Sequence, residues 1–371
     1  MIQKVNRLRE LDFLRGIAII LVLLRHQHLF QFTTEMGWIG VDLFFVLSGF
    51  LVSGLLFKEY LKFGNIKPGL FLIRRGFKIY PIYYLVYVLY LIPKIIKNQF
   101  EINGFLADMF FVQNYVWGWG WGYVASWSLA VEEHFYFSLV VFLYFAFTKK
   151  WLHNTFNFWN KKVNYFQTAL VFVFLICLLL RVYNNLYHPE YNEKNLTMTH
   201  LRIDSLLAGV FIGYLYYFKQ NWLINNFNLY KKRLFFIIVA LLSFTPFVDY
   251  DHSFFVRTIG FTTLYIAFGL VLLYFLLEKD INKKINYIFS NRMVNVISKI
   301  GFSSYSIYLI HGLVGIVISI FCNYILKIQI NYLLLFAINI VTSVLSGMFI
   351  TYNIEKYFLK IRDKYYPNRI N

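Results

Sequence analysis

The first apolar run, Leu11 to His26, is long enough to enter a bilayer, yet it carries Asp12, Arg15, Arg25 and His26. An ionisable group in hydrocarbon costs at least about 2.5–3.5 kcal/mol, so each such group needs a reason to be there. The spacing narrows the reasons. Arg15 and His26 are eleven residues apart, which at about 100° per residue is three turns plus about 20°. They therefore share one helical stripe, separated by about 16 Å along the axis. An ordinary structural reading exists for each: His26 as a packed histidine, and Arg15 snorkelling to the surface. Alone, neither residue separates that reading from a functional one.

The 345 residues after His26 repeat the pattern of apolar runs with embedded charge. The 371-residue chain is 59% apolar and 22% aromatic, with mean hydropathy +0.56. That excludes an ordinary soluble domain. Ten candidate spans lie near 11–30, 38–57, 79–97, 123–147, 165–183, 201–218, 234–249, 258–277, 301–321 and 331–354. The run at 104–115 is too short to cross. The fold class expected is all-α, a polytopic integral membrane helical bundle of about ten transmembrane helices. It forms one domain over 1–371, with a basic tail from about 356. No repeat, linker or cleavable signal peptide is evident. Cys177 and Cys322 lie in or beside apolar runs without metal-ligand spacing and read as packing residues. No metal site is expected.

The net charge of +18 raises nucleic acid as a partner, but the cations sit in short loops, so no nucleic acid is expected and the bilayer is. The N-terminus, the loops after spans 2, 4, 6 and 8, and the tail hold most of the 36 Lys and Arg. The alternate loops hold Lys94, Lys97, Lys194, Arg257 and Lys327. This asymmetry places both termini in the cytoplasm. Arg15 then lies near the cytoplasmic end of span 1, and His26 well past its middle.

Several later spans carry polar stripes. In span 2, Asp42, Gly49 and Ser53 share a face, where Asp42 reads equally as a cavity acid or a surface cap. Before span 3, Arg74, Arg75 and Lys78 read as ordinary positive charge or as a phosphate grip. Span 4 contains Glu132, Glu133 and His134. Ser128, Glu132 and Tyr136 recur on one face, while Glu133 shares a face with Leu129 and Phe137, so Glu132 has the more polar company. In span 6, Arg202 and Asp204 read as a structural charge pair. Span 9 carries Gly301, Ser304, Tyr308, His311 and Gly315 on one stripe. So many polar groups at membrane depth need a water-filled cavity or a buried site. Two classes fit, a transporter with a charged pathway or a membrane-embedded enzyme with a histidine–glutamate base pair. No serine elbow, zinc motif or Walker loop is present.

Together these stretches resemble the membrane acyltransferase-3 family, polytopic O-acyltransferases of bacterial surface polysaccharides, peptidoglycan and some small molecules. Leu11-Asp12-Phe-Leu-Arg15-Gly16 followed by His26 resembles the family's first-span pattern. Phe45-Val-Leu-Ser48-Gly49-Phe50 is similar to its second-span signature, and Trp127-Ser128-Leu-Ala-Val-Glu132-Glu133-His134-Phe-Tyr136 to its fourth. Arg202-Ile-Asp204-Ser-Leu-Leu and Tyr305-Ser-Ile-Tyr308-Leu-Ile-His311 resemble further blocks. Single motifs are weak, but these occur in the family's order. Two departures stand out. The family's paired arginines fall on Arg75 and Lys78, and His134 stands where many members have glutamine.

The resemblance implies an acyl-CoA donor, most often acetyl-CoA, entering from the cytoplasm, with no tightly bound cofactor. Arg15, Arg74, Arg75 and Lys78 would hold it. His26, oriented by Glu132, would act as general base toward a hydroxyl of a surface polysaccharide or lipid-linked glycan. Asp12, Asp42, Ser48, Ser128, Tyr136, Arg202, Asp204, Tyr308 and His311 are the other cavity candidates. The expected location is the bacterial cytoplasmic (inner) membrane, multi-pass. The stand-alone form is expected, without the SGNH-type esterase domain many members carry. Further partners considered are a second copy or a separate acyl-accepting protein. The alternative is a transporter or flippase for an acylated glycan or small molecule. A catalytically dead scaffold is the third reading.

Overall fold

Hydrocarbon offers no water to a free backbone N–H or C=O, so crossing segments of this sequence must close their hydrogen bonds within helices. The computed structural model describes residues 8–27, 31–158, 161–327 and 331–370. Lys4, Arg7 and the end of the first apolar run at 28–30 lie outside them. The chain begins with α1 (Arg9–Gln27), α2 (Gln31–Met36), α3 (Ile39–Phe63) and α4 (Pro68–Ile96). The short α5 (Ile102–Met109) and α6 (Gln113–Val116) precede α7 (Trp127–Thr148). A hairpin of β1 (Thr155–Phe158) and β2 (Lys161–Asn164) leads to α8 (Tyr165–Tyr187), α9 (Asn192–Thr197), α10 (Thr199–Phe218) and α11 (Gln220–Leu242). Then follow α12 (Phe261–Leu277), α13 (Ile281–Phe289), α14 (Asn291–Phe302), α15 (Ser304–Ile320), α16 (Tyr332–Phe349) and α17 (Lys356–Tyr365).

Among the described residues, eight helical stretches are long and apolar enough to cross a membrane, containing α3, α4, α7, α8, α10, α12, α15 and α16. The protein is an all-α, multi-pass membrane bundle. Two of the ten expected spans differ from these eight in charge. α1 carries Glu10, Asp12, Arg15 and Arg25, and α11 carries Lys231, Lys232 and Arg233. The run expected over 234–249 ends a helix that starts at Gln220 and stops at Leu242. The short run at 104–115 folds as α5 and α6.

Local sequence sets several helix ends. α3 stops at Gly64, whose φ of 70° is left-handed and whose N–H reaches the Tyr60 carbonyl at 2.7 Å. Pro68 opens α4, where its missing N–H is harmless. The Asn164 side chain caps α8 by accepting from the N–H groups of Phe166 and Gln167. Outside the spans, buried Asp108 accepts from the N–H groups of Trp121 and Gly122 and pins the Trp/Gly-rich loop before α7. Burial pushes its carboxyl up to about 6 against those hydrogen bonds.

Small residues let the central helices approach to backbone contact. α3 and α10 meet at Gly49 and Gly209, and α1 and α14 at Gly16 and Gly301. A Cβ at Gly49 would stand 1.9 Å from the Leu206 carbonyl oxygen. Gly49→Ala is therefore expected to lower stability by about 1–3 kcal/mol through overpacking. The check is the melting temperature of the detergent-solubilised protein, and an unchanged value would contradict so close a contact.

Charge pairing corrects the expectation for span 6. Arg202 and Asp204 are two residues apart on α10 and point to different neighbours. Arg202 pairs with Asp42 of α3 at 2.8 Å, and Asp204 pairs with Arg181 of α8 at 2.7 Å. All four side chains are 0–3% exposed. Two ion pairs thus tie α3, α10 and α8 together. Both cysteines are free and buried, as packing residues would be.

Candidate active site

Arg15 of α1 and Arg75 and Lys78 of α4 give the bundle a basic end, where α17 packs on α4. A cavity of about 290 Å³ opens there. Its polar lining comes from five helices: Arg15 (α1), Ser48 (α3), Arg75 and Lys78 (α4), Ser128, Glu132 and Tyr136 (α7), and Ser304 with Tyr305 and Tyr308 (α15). The rest is apolar, chiefly Val41, Phe44, Phe45, Leu47, Leu51 and Ile79. Eight of the residues singled out from sequence therefore face one space: Arg15, Ser48, Arg75, Lys78, Ser128, Glu132, Tyr136 and Tyr308.

The hydroxyl of Tyr136 organises the basic half. It donates to Glu132 Oε2 at 2.8 Å and accepts from Arg75 Nη2 at 2.6 Å. Its one proton is committed to the carboxylate, so the Ser48 hydroxyl, 2.8 Å away, must donate to it. The Arg75 guanidinium also lies 4.4 Å from the Tyr136 ring centroid. Arg15 donates to Ser304 Oγ at 3.1 Å. The spacing of Ser128, Glu132 and Tyr136 by one turn each on α7 aims all three into the cavity.

Ser128 and Tyr308 close the inner limit. Their hydroxyls are 2.7 Å apart, and the Ala125 carbonyl is an acceptor for both, 2.9 Å from Tyr308 and 3.3 Å from Ser128. One turn further along α15, His311 is buried at 2% exposure. Its Nδ1 sits 2.7 Å from the Tyr308 carbonyl oxygen. A carbonyl only accepts, so Nδ1 carries the proton and Nε2 holds the free lone pair. The rings of His311 and His26 are in contact, with centroids 5.0 Å apart. His26 itself is exposed, near the C-terminal end of α1. α1 and α15 run in one direction, since Arg15 meets Ser304 and His26 meets His311. α7 runs the other way, with Ser128 against Tyr308 and Tyr136 beside Arg75. Glu132 and the histidine pair consequently lie on opposite sides of the Ser128–Tyr308 bridge.

Other expected cavity residues go elsewhere. Asp42, Arg202 and Asp204 are committed to the buried ion pairs and do not line the cavity. Asp12 is buried at the α1–α14 contact, where its carbonyl oxygen faces Gly301. Arg74 turns from the cavity toward α17, 3.0 Å from Asp363. His134 bonds Thr199 at 2.6 Å on another face of α7. Glu133 accepts from the Tyr80 hydroxyl at 2.8 Å. Arg181 was not singled out from sequence, because its partner Asp204 lies on another helix. Among the described residues no cluster of metal-ligating side chains occurs.

The family profile described as "Acyltransferase domain" matches residues 8–352. The chain belongs to the acyltransferase-3 family. It is similar to the peptidoglycan O-acetyltransferase OatA of Listeria monocytogenes, 32% identical over 39% of this chain and 25% of the relative. A putative O-acetyltransferase of Staphylococcus aureus strain COL is 29% identical over 58% of this chain and 36% of its own length. The O-acetyltransferase OatA of S. aureus strain NCTC 8325 is 29% identical over 56% and 34%. The chain thus spans roughly a quarter to a third of the length of these acyltransferase-3 relatives. No solved structure matches it.

Proposed function

We propose that the chain is an O-acyltransferase of the bacterial cytoplasmic membrane. It takes an acyl group, most commonly acetyl, from cytoplasmic acyl-CoA and places it on a hydroxyl of a surface polysaccharide or lipid-linked glycan. The observation that carries this reading is the single cavity that runs from Arg15, Arg75 and Lys78 to Ser128 and Tyr308, with the His26–His311 pair just beyond. In this reading the basic end faces the cytoplasm, as the distribution of Lys and Arg suggests.

The donor's charged end rests on the cations and its thioester points inward. His26 removes the proton from the acceptor hydroxyl, and the oxygen attacks the thioester carbonyl carbon. The C–O bond forms, the C–S bond breaks, and the CoA sulfur leaves and is protonated. His311 backs the base with a ring whose tautomer is fixed by the Tyr308 carbonyl. Glu132, expected to orient His26, instead acts through Tyr136 to position Arg75. It is a positioning residue, as is Tyr136.

Tyr136→Phe removes the shared oxygen that holds Arg75. Loss of one charge-assisted hydrogen bond, about 1.5–3 kcal/mol, is expected to raise the KM for donor at least about tenfold and to affect kcat less. The function itself is tested by incubating membranes with radiolabelled acetyl-CoA. Label that reaches glycan and is released by mild alkali supports an ester-forming transferase. Glycan that crosses the membrane unlabelled would favour the transporter reading.

A further inference from the structure

A second cavity, of about 280 Å³, adjoins the first at the basic end. Leu55, Arg75 and Lys78 line both, so the two form one path. Three more cations face the outer cavity: Arg74, Arg362 and Arg369, with Glu59 as the one acid in its wall. Two of them come from the C-terminal segment. That segment lies across the mouth and is held along its length. Arg369 meets Glu59 at 2.5 Å, the Tyr366 carbonyl accepts from Arg74, and the Ile370 carbonyl accepts from Lys62 at 2.9 Å. Asp363 offsets part of the charge, at 3.0 Å from Arg74 and 2.8 Å from Arg362.

Five cations share this space with two carboxylates, Glu59 and Asp363, so net positive charge remains there for an anion to balance. Four are arginines, whose planar forks fit phosphate oxygens two at a time. Building on the donor reading above, we infer that Arg362 and Arg369 of the C-terminal segment complete a phosphate-binding subsite for the nucleotide end of acyl-CoA. Arg362 and Arg369 bind its 3′-phosphate and diphosphate, and Glu59 holds Arg369 in place. The pantetheine arm then passes Arg75 and Lys78 into the inner cavity. An anionic lipid headgroup offers the same phosphate chemistry, and the experiment separates the two.

The test is equilibrium binding of CoA and of 3′-dephospho-CoA to the full chain in phosphatidylcholine nanodiscs. Wild type is expected to prefer CoA by tenfold or more. The double variant Arg362→Gln with Arg369→Gln is expected to lose at least tenfold in CoA affinity and to lose that preference. Lys364→Gln, an exposed charge change on the same helix, should behave as wild type. Arg362→Gln alone leaves the Glu59–Arg369 pair intact and should lose about threefold, which keeps the test available should the double variant not fold. Wild-type CoA affinity in folded variants would overturn the subsite while the donor reading stands. Loss of phosphatidylglycerol retention with unchanged CoA affinity would overturn it in favour of a lipid. Failure of wild type to bind CoA would overturn both.

Discussion

Arg202→Ala is expected to destabilise the bundle by about 3–5 kcal/mol, the cost of breaking a buried pair from one side. The guanidinium is bound to Asp42 at 2.8 Å and to the Leu196 carbonyl at 2.8 Å, and it stacks 3.7 Å from the Phe261 ring centroid. Truncation strands the Asp42 carboxylate at 1% exposure, with only Ser205 left as a hydrogen-bond donor at 3.2 Å. The effect is large because the lost partner tied four elements, α3, α9, α10 and α12, at one point. Replacing both partners by apolar residues of similar volume is expected to cost far less, since no unpaired charge remains. Equilibrium unfolding in detergent measures both. A single-variant cost under about 1 kcal/mol would mean that water reaches Asp42 and that the pair is not structural.

The second large effect concerns the histidine pair. His26→Ala is expected to lower kcat about 10²- to 10⁴-fold, the usual worth of a general base. The KM for acetyl-CoA should hold, because His26 does not line the donor cavity. His311→Ala should also lower kcat, by removing the ring against which His26 packs and the fixed Nε2 lone pair. The double variant should be little worse than the more damaging single one, because residues that act as a unit are not additive. Initial rates at varied donor concentration decide between this and a structural role. A rise in KM with unchanged kcat would remove His26 from the chemistry.

Helical period made much of the site legible. Residues spaced by one turn on a single helix, such as Ser128, Glu132 and Tyr136, face one cavity, and so do Ser304 and Tyr308 of α15, whereas His311 lies past them. Pairing across helices was not legible, because period says which face a residue shares and nothing about the neighbour that face meets. Arg202 thus looked like a partner for Asp204, while each found a mate on α3 or α8. Nor could period show that the Glu132 carboxylate bonds Tyr136, with Ser128 and Tyr308 between it and the His26–His311 pair. From sequence the tail is a basic cytoplasmic tail from about 356, and only its fold across the mouth brings Arg362 and Arg369 to the cavity. The span count ran the other way: apolar runs marked ten spans, but the helices that contain two of them, α1 and α11, also carry several charges.

In the proposed mechanism one cavity receives the donor at the basic, cytoplasmic end and delivers its acyl group to the far side. The most direct measurement uses sealed vesicles with radiolabelled acetyl-CoA supplied only to the cytoplasmic face, comparing wild type with Arg75→Ala at matched expression. Alkali-labile label is expected on glycan at the opposite face with wild type, and at least tenfold less with Arg75→Ala at subsaturating donor. Equal labelling by the two proteins, or labelling only when donor is supplied from the other face, would contradict it.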